Sequence, residues 1–370
     1  MKACRLFWRW PRWRRLIPDY LLSAAHAALV LVTVCCLAQD HSPSLLAQTG
    51  LSKRGQANAA AGTAKQYLVY DSSIILPNVR GGFDLMAVDI ERQRLFVSAE
   101  DNHTVEVADL KARKPVASIP DLNEPKWVVY RPDENMLYVA TGKDGKVTGV
   151  DATTYKVKYT FQFKEKCNNL RYDEAAGELY VGVGNTFGSL GIIDLKNHRI
   201  TGEIALADYP KQFEIDGNKI YVNIPSKNVI QVVDRISRKV VSAWPVKEAK
   251  ENVPMALDRQ QARLFVACEP GKFIVYSTST GETVASLDIN KGADGIYHDA
   301  KRHRIYVSTG EGLINVISQA TSDRYQLIER VPTTEGAGTS LYVPNLNLLI
   351  VATPQVGNRQ AALRLYRPTP

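Results

Sequence analysis

Leu137-Tyr138-Val139-Ala140 is one of seven near-copies of a tetrapeptide spread along the chain. The others are Leu95-Phe-Val-Ser98, Leu179-Tyr-Val-Gly182, Ile220-Tyr-Val-Asn223, Leu264-Phe-Val-Ala267, Ile305-Tyr-Val-Ser308 and Leu349-Ile-Val-Ala352. Their first residues are 42, 42, 41, 44, 41 and 44 positions apart. Short runs of β-branched and aromatic residues are strand chemistry, and no amphipathic segment of helical length competes with them. Each copy sits among three further strand candidates. In the first unit the four span residues 85–89, 95–99, 105–109 and 116–119, and in the fifth 254–258, 264–268, 273–277 and 283–288. Turn formers such as Asp133-Glu-Asn135, Asp216-Gly-Asn218 and Thr280-Gly281 separate them.

A four-stranded unit of about 40–45 residues is the period of a propeller blade. The expectation is an all-β, seven-bladed β-propeller of four-stranded antiparallel blades. A lone blade has two apolar faces, and only a ring buries both against neighbours. The seventh unit offers strands at 339–343, 349–353 and 362–366 and no fourth. Upstream of the first unit, Ser73-Ile-Ile-Leu-Pro77 matches Ala117-Ser-Ile-Pro120 and Glu329-Arg-Val-Pro332, which end outer strands elsewhere. Residues 73–76 are therefore predicted to pair with 362–366, an N-terminal strand completing the last blade.

The repeated Tyr-Val-Ala/Ser strand, with an aspartate ending the third strand at Asp109, Asp151, Asp194 and Asp234, resembles the YVTN-type seven-bladed β-propellers. The chain looks like the exported bacterial YncE-like group of that family over residues 67–370. The resemblance implies the same fold. It does not imply a task, because propellers of this shape host unrelated functions.

Residues 1–20 hold Lys2, Arg5, Arg9, Arg12, Arg14 and Arg15 against Asp19, and residues 21–38 carry no Asp, Glu, Lys or Arg. A basic start, an apolar stretch and small residues before a polar break read as an export signal cleaved after Ala38. An uncleaved inner-membrane anchor is the alternative, with the membrane engaged only through this segment. Either places the folded part in the periplasm or outside the cell. Residues 39–66, rich in Ala, Gln, Gly and Ser, read as a flexible linker to the propeller at 67–370. The formal charge of the whole chain is +8. Without residues 1–38, 40 basic residues face 37 acidic ones, so the basic bias belongs to the leader and specific nucleic-acid binding is not expected.

No Walker A, His-Glu-x-x-His, Gly-x-Ser-x-Gly, EF-hand or haem-attachment motif occurs. Gly182-Val-Gly184-Asn-Thr-Phe-Gly188 only approximates a dinucleotide loop and lies between two strands. Cys167 and Cys268 fall two blades apart, too far for a disulfide, and are expected to be free thiols. His298 falls on the inner-strand face of Val88, Ile215 and Leu257 and reads as a blade-packing histidine.

The candidate site is a ring. Aligned by blade, Asp84, Lys126, Asn168, Lys211, Val253, Asp294 and Thr339 start the inner strands, with Asn169, Gln212 and Asn252 adjacent. Deeper along the strand, Arg171 and Glu214 replace small or apolar residues in neighbouring blades, which predicts an ion pair, and Tyr297 and Tyr342 share their register. Convergent polar groups around a concavity are a binding-site pattern. The ligand-binding set is therefore Asp84, Lys126, Asn168, Asn169, Arg171, Lys211, Glu214, Asn252 and Asp294. No catalytic set, metal site or cofactor is expected. The leading reading is a monomeric, non-catalytic module that binds a protein, peptide or cell-envelope component. The alternatives are a lactonase-like metal-assisted hydrolase, drawing on Asp84, Asn168 and Asp294, and a haem- or quinone-type cofactor-binding propeller. Lys126 and Lys211 would repel a cation at that mouth.

Overall fold

The computed structural model describes residues 65–370. The predicted signal or anchor (1–38) and residues 39–64 of the predicted linker lie outside the described residues. The described chain is an all-β, seven-bladed β-propeller, with 28 strands in seven four-stranded antiparallel sheets. Blade 2 is typical: Pro125–Arg131, Met136–Thr141, Lys146–Asp151 and Val157–Gln162 follow one another from the channel to the rim. Among the described residues the helical content is three short 3₁₀ turns, at Glu100–Asn102, Pro225–Lys227 and Pro344–Leu346. Among the described residues no helix is long and apolar enough to cross a membrane.

The tetrapeptide works because strand side chains alternate between faces. Leu137 and Val139 enter a cluster with Phe96, Val105 and Val107 of blade 1. Tyr138 and Ala140, on the opposite face, pack with Leu179 and Val181 of blade 3. One strand thus supplies two interfaces. Seven apolar clusters result, each lying between adjacent blades. Full burial of each such side chain contributes roughly 1.5–3 kcal/mol. Two of the repeat tyrosines keep their hydroxyls satisfied at the ends of their buried rings, Tyr138 donating to Glu134 at 2.7 Å and Tyr306 to Asp299 at 2.9 Å.

The recurrent aspartates shape the hairpins. Asp151 accepts the backbone N–H groups of Thr153 and Thr154, and Asp234 that of Ser237. A second set ends the inner strands: Asp173 accepts from Ala175, and Asp258 from Gln260 and Gln261. These are Asx turns, in which a carboxylate takes the place of a backbone acceptor.

The ring closes as expected and over a longer stretch. Leu68–Leu76 pairs with Ala361–Pro368, with Ser73 opposite Arg364 and Ile75 opposite Ala362. Pairing continues past a bulge between Tyr70 and Ser72 to Leu68 opposite Pro368. Buried Ile74 and Leu76 then join the cluster between blades 7 and 1.

Candidate functional site

The inner strands start at one face of the ring, and there Asp84, Lys126, Lys211 and Asp294 share one electrostatic neighbourhood. Burial and the Asp294 carboxylate push the Asp84 carboxyl well above the usual range, against the opposing pull of Lys126 and Lys211. Lys126 forms ion pairs with Glu100 and, at 3.0 Å, with Glu124. Burial disfavours its ammonium, yet Asp84, Glu100 and Glu124 hold it protonated beyond the ordinary lysine range.

Below these charges a belt of hydrogen bonds links blades. Leu85 N–H donates to Lys126 O at 3.0 Å, joining blades 1 and 2. Gln212 donates to Asp294 O at 3.0 Å and accepts from Met255 N–H at 3.3 Å, so one side chain of blade 4 reaches blades 5 and 6. Thr339 donates to the Asp294 carboxylate at 3.0 Å and contacts Phe83 O at 3.3 Å. Asn168 bonds the hydroxyl of half-buried Tyr209.

The asparagines of the sequence-derived set sit in the wall. Asn168, Asn169 and Asn252 are all buried. Asn252 donates to Asn223 Oδ1 at 2.6 Å and to Val229 O at 3.0 Å. It therefore pins the blade 4–5 junction. Asn169 packs beside Gly182 at that blade's second strand.

Deeper in the channel the pair expected from register is present. Arg171 donates to Glu214 at 2.9 Å, and its guanidinium lies 4.3 Å from the Trp127 ring centroid. These three residues line a cavity of about 330 Å³ on the ring axis. Its remaining wall is mixed: Leu85, Met86, Met255, Leu257, Ile296 and Leu341 from blades 1, 5, 6 and 7 stand beside the polar Gln212, Arg259 and His298. Tyr297 also lines it, its hydroxyl held by Ser340 O at 2.6 Å. Tyr342 instead packs edge-on against Tyr306 in the blade 6–7 interface, 5.3 Å between centroids.

A second cavity, about 530 Å³, opens at the far face, where the inner strands end. It meets the first at Arg171, Glu214 and Arg259. Arg131 lies flat on Tyr172 at 3.4 Å, Arg235 is paired with Asp173, and Arg259 donates to Ile215 O at 2.6 Å. Trp127, Arg131, Arg235 and Arg259 were absent from the sequence-derived set. Trp127 follows Lys126 directly, and Arg131 ends the same strand, so strand alternation could have found both. Arg235 comes from an outer hairpin and carries no register signal.

His298 is an interblade residue, with Nε2 at 2.9 Å from Gln319 Oε1 and its ring centroid 5.4 Å from that of Phe265. Cys167 and Cys268 are free and buried. The glycine-rich stretch is a hairpin in which Gly184 pairs with Gly188. A Cβ on Gly188 would lie 1.7 Å from Asp208 O, so chain packing accounts for that glycine. Among the described residues no group of three His, Cys, Asp or Glu side chains gathers as a metal site.

Fold and site define a class: a seven-bladed propeller with a ligand-sized, partly apolar axial cavity. No protein-family model matches the chain, and no curated protein does. Among solved structures it is similar to a chain of Kuenenia stuttgartiensis hydrazine synthase, with a TM-score of 0.65 and 18% identity. The match covers 75% of this chain and 94% of that one. At that identity the likeness is one of fold.

Proposed function

We propose that the chain is an exported, non-catalytic binding propeller of the YVTN type, and that its axial channel holds a small ligand or one side chain of a peptide or envelope partner. The observation that carries this reading is the cavity around Trp127, Arg171 and Glu214. Its volume of about 330 Å³ and its mixture of aliphatic side chains with convergent, fixed polar groups match the pattern of small-ligand sites. The basic, then apolar, leader supports export, and the repeat with its hairpin aspartates supports the family. Trp127 offers a flat face, and Arg171–Glu214 offers a donor and an acceptor to orient what lies on it.

The test is native mass spectrometry of protein isolated from an envelope fraction, beside a Leu341→Trp variant that fills the cavity. The expected result is a bound species on the wild type that the variant lacks. An empty wild type after exposure to envelope extract overturns the channel reading. Recovery of the chain in the cytoplasmic fraction overturns export.

A further inference from the structure

We propose that the far-face turns of blades 6, 7 and 1 form a docking surface for an anionic lipid membrane. The inference extends the reading of residues 1–38 as a membrane segment and does not rest on the channel reading. The chain enters the ring at this face, where Leu68 stands opposite Pro368 and Tyr67 O accepts from Thr369 N–H. Between the apolar stretch at 21–38 and the first described residue lie 26 residues, which span at most about 90 Å. A ring tethered that closely meets the bilayer at a high effective concentration, so a modest attraction is enough to seat it.

The attraction comes from net charge, with every acid counted. The far-face stretches 65–71, 89–94, 109–114, 299–304, 321–324 and 367–370 hold eleven Lys and Arg. Against them stand six Asp and Glu, and Glu329, which accepts Tyr67 N–H, makes seven. The corresponding turns of blades 2 to 5 (131–136, 151–156, 173–178, 194–199, 216–219, 234–239, 258–263 and 277–282) hold ten basic residues against eleven acids. The surplus at this face therefore belongs to the sector around the chain's entry. That sector is continuous. Asp71 pairs with Arg113 of blade 1 at 2.8 Å and with Arg367 of blade 7 at 2.7 Å. Arg302 and Arg304 of blade 6 donate to Thr369 O at 3.0 and 2.7 Å.

Two of its acids are turned inward, and its free cations face water. The side chains of Asp89 and Asp299, paired with Arg94 and Arg302, are 2% and 1% exposed. Lys111, Lys114, Lys301 and Arg324 are exposed and make no ion pair among the described residues. Tyr70, 53% exposed beside the entry, adds an amphipathic ring of the kind that settles at headgroup depth. Basic groups beside a membrane segment are drawn to anionic headgroups over about a Debye length. A polynucleotide would answer the same charge, but the entry point of the tether favours the membrane.

Lysine acetylation of the full chain, reconstituted into vesicles of phosphatidylcholine alone or with phosphatidylglycerol, tests the proposal. Flotation with the neutral vesicles reads insertion of residues 1–38 by itself, and the lysine pattern reads docking. On anionic vesicles Lys111, Lys114 and Lys301 should react several-fold more slowly than on neutral ones. Lys143 and Lys247, exposed on the opposite face, should react alike on both. High salt should remove the difference. Lys111→Glu/Lys301→Glu changes two exposed positions, so the fold survives it, and Lys114 should then lose its protection. Equal protection of both faces, protection alike on neutral and anionic vesicles, or protection of Lys114 unmoved by the double variant overturns the proposal. Protection of these lysines by a single-stranded oligonucleotide but not by anionic vesicles overturns it in favour of nucleic acid.

Discussion

Arg171 and Glu214 occupy one register position in adjacent blades, each opposite the repeat tyrosine of its own sheet, Tyr180 and Tyr221, and their side chains meet at 2.9 Å. The pair is partly exposed, at 23% and 19%. It therefore sits between a surface pair of small worth and a buried pair whose desolvation offsets its attraction.

Removing one partner should cost more than removing both. Arg171→Leu alone leaves Glu214 against an aliphatic wall, and Glu214→Leu leaves Arg171 with only Trp127 and a carbonyl. Each single change should destabilise by about 1–3 kcal/mol, and the double variant by less than their sum. Urea unfolding of the four proteins in the cycle measures the coupling. Strict additivity would show that the pair contributes no mutual stabilisation.

The closing strand should be indispensable. Deleting residues 67–77 strips blade 7 of its outer strand and leaves Ala361–Pro368 as a bare edge, a template for aggregation. The milder Ile74→Ala, at a fully buried position, should cost about 2–5 kcal/mol. Thermal unfolding checks both, and an unchanged midpoint in the deletion would refute closure by this strand.

The two thiols should be inert in the native state. Burial pushes Cys268 up to about 12 and raises Cys167 further still, so neither supplies thiolate at neutral pH. A thiol reagent should modify neither residue until denaturant is added. Rapid native labelling of either would contradict the packing at the blade 2–3 or 4–5 interface.

Asp84 should make stability fall as pH rises. Burial and Asp294 raise its folded pKa, so the folded state holds a proton that the unfolded chain releases from about pH 4 upward. Stability carried by that proton is present below the unfolded value and declines as pH climbs toward the folded one. Asp84→Asn, which copies the protonated shape, should flatten this decline and be the more stable protein at neutral pH. Unfolding at a series of pH values tests it, and parallel curves for the two proteins would remove Asp84 as the cause.

Much of this architecture is readable from residues because it is written seven times. Strand alternation divides Leu137-Tyr-Val-Ala140 between two interfaces, and the missing fourth strand of the last unit points to residues 73–76. Arg171–Glu214 was legible for the same reason, since equal register in neighbouring blades means proximity. The mouth was less legible. Asn168, Asn169 and Asn252 occupy the right places along the chain, but adjacency does not say which way a side chain turns, and all three are buried. The far-face cavity was not legible. Arg235 reaches it from the hairpin between the third and fourth strands and Arg259 from beyond an inner strand's end, so no common period links them to Arg131.

Because Leu68–Leu76 and Ala361–Pro368 are neighbours in one sheet, the ring's two ends meet: Thr369 N–H donates to Tyr67 O at 3.1 Å and its hydroxyl to Gln66 O at 2.6 Å. The point at which the chain enters the ring is thus one seam among seven, and the ring itself has no first blade. A circular permutant that joins Thr369 to Gln66 through a short connector and opens between blades 3 and 4 should encode the same closed structure.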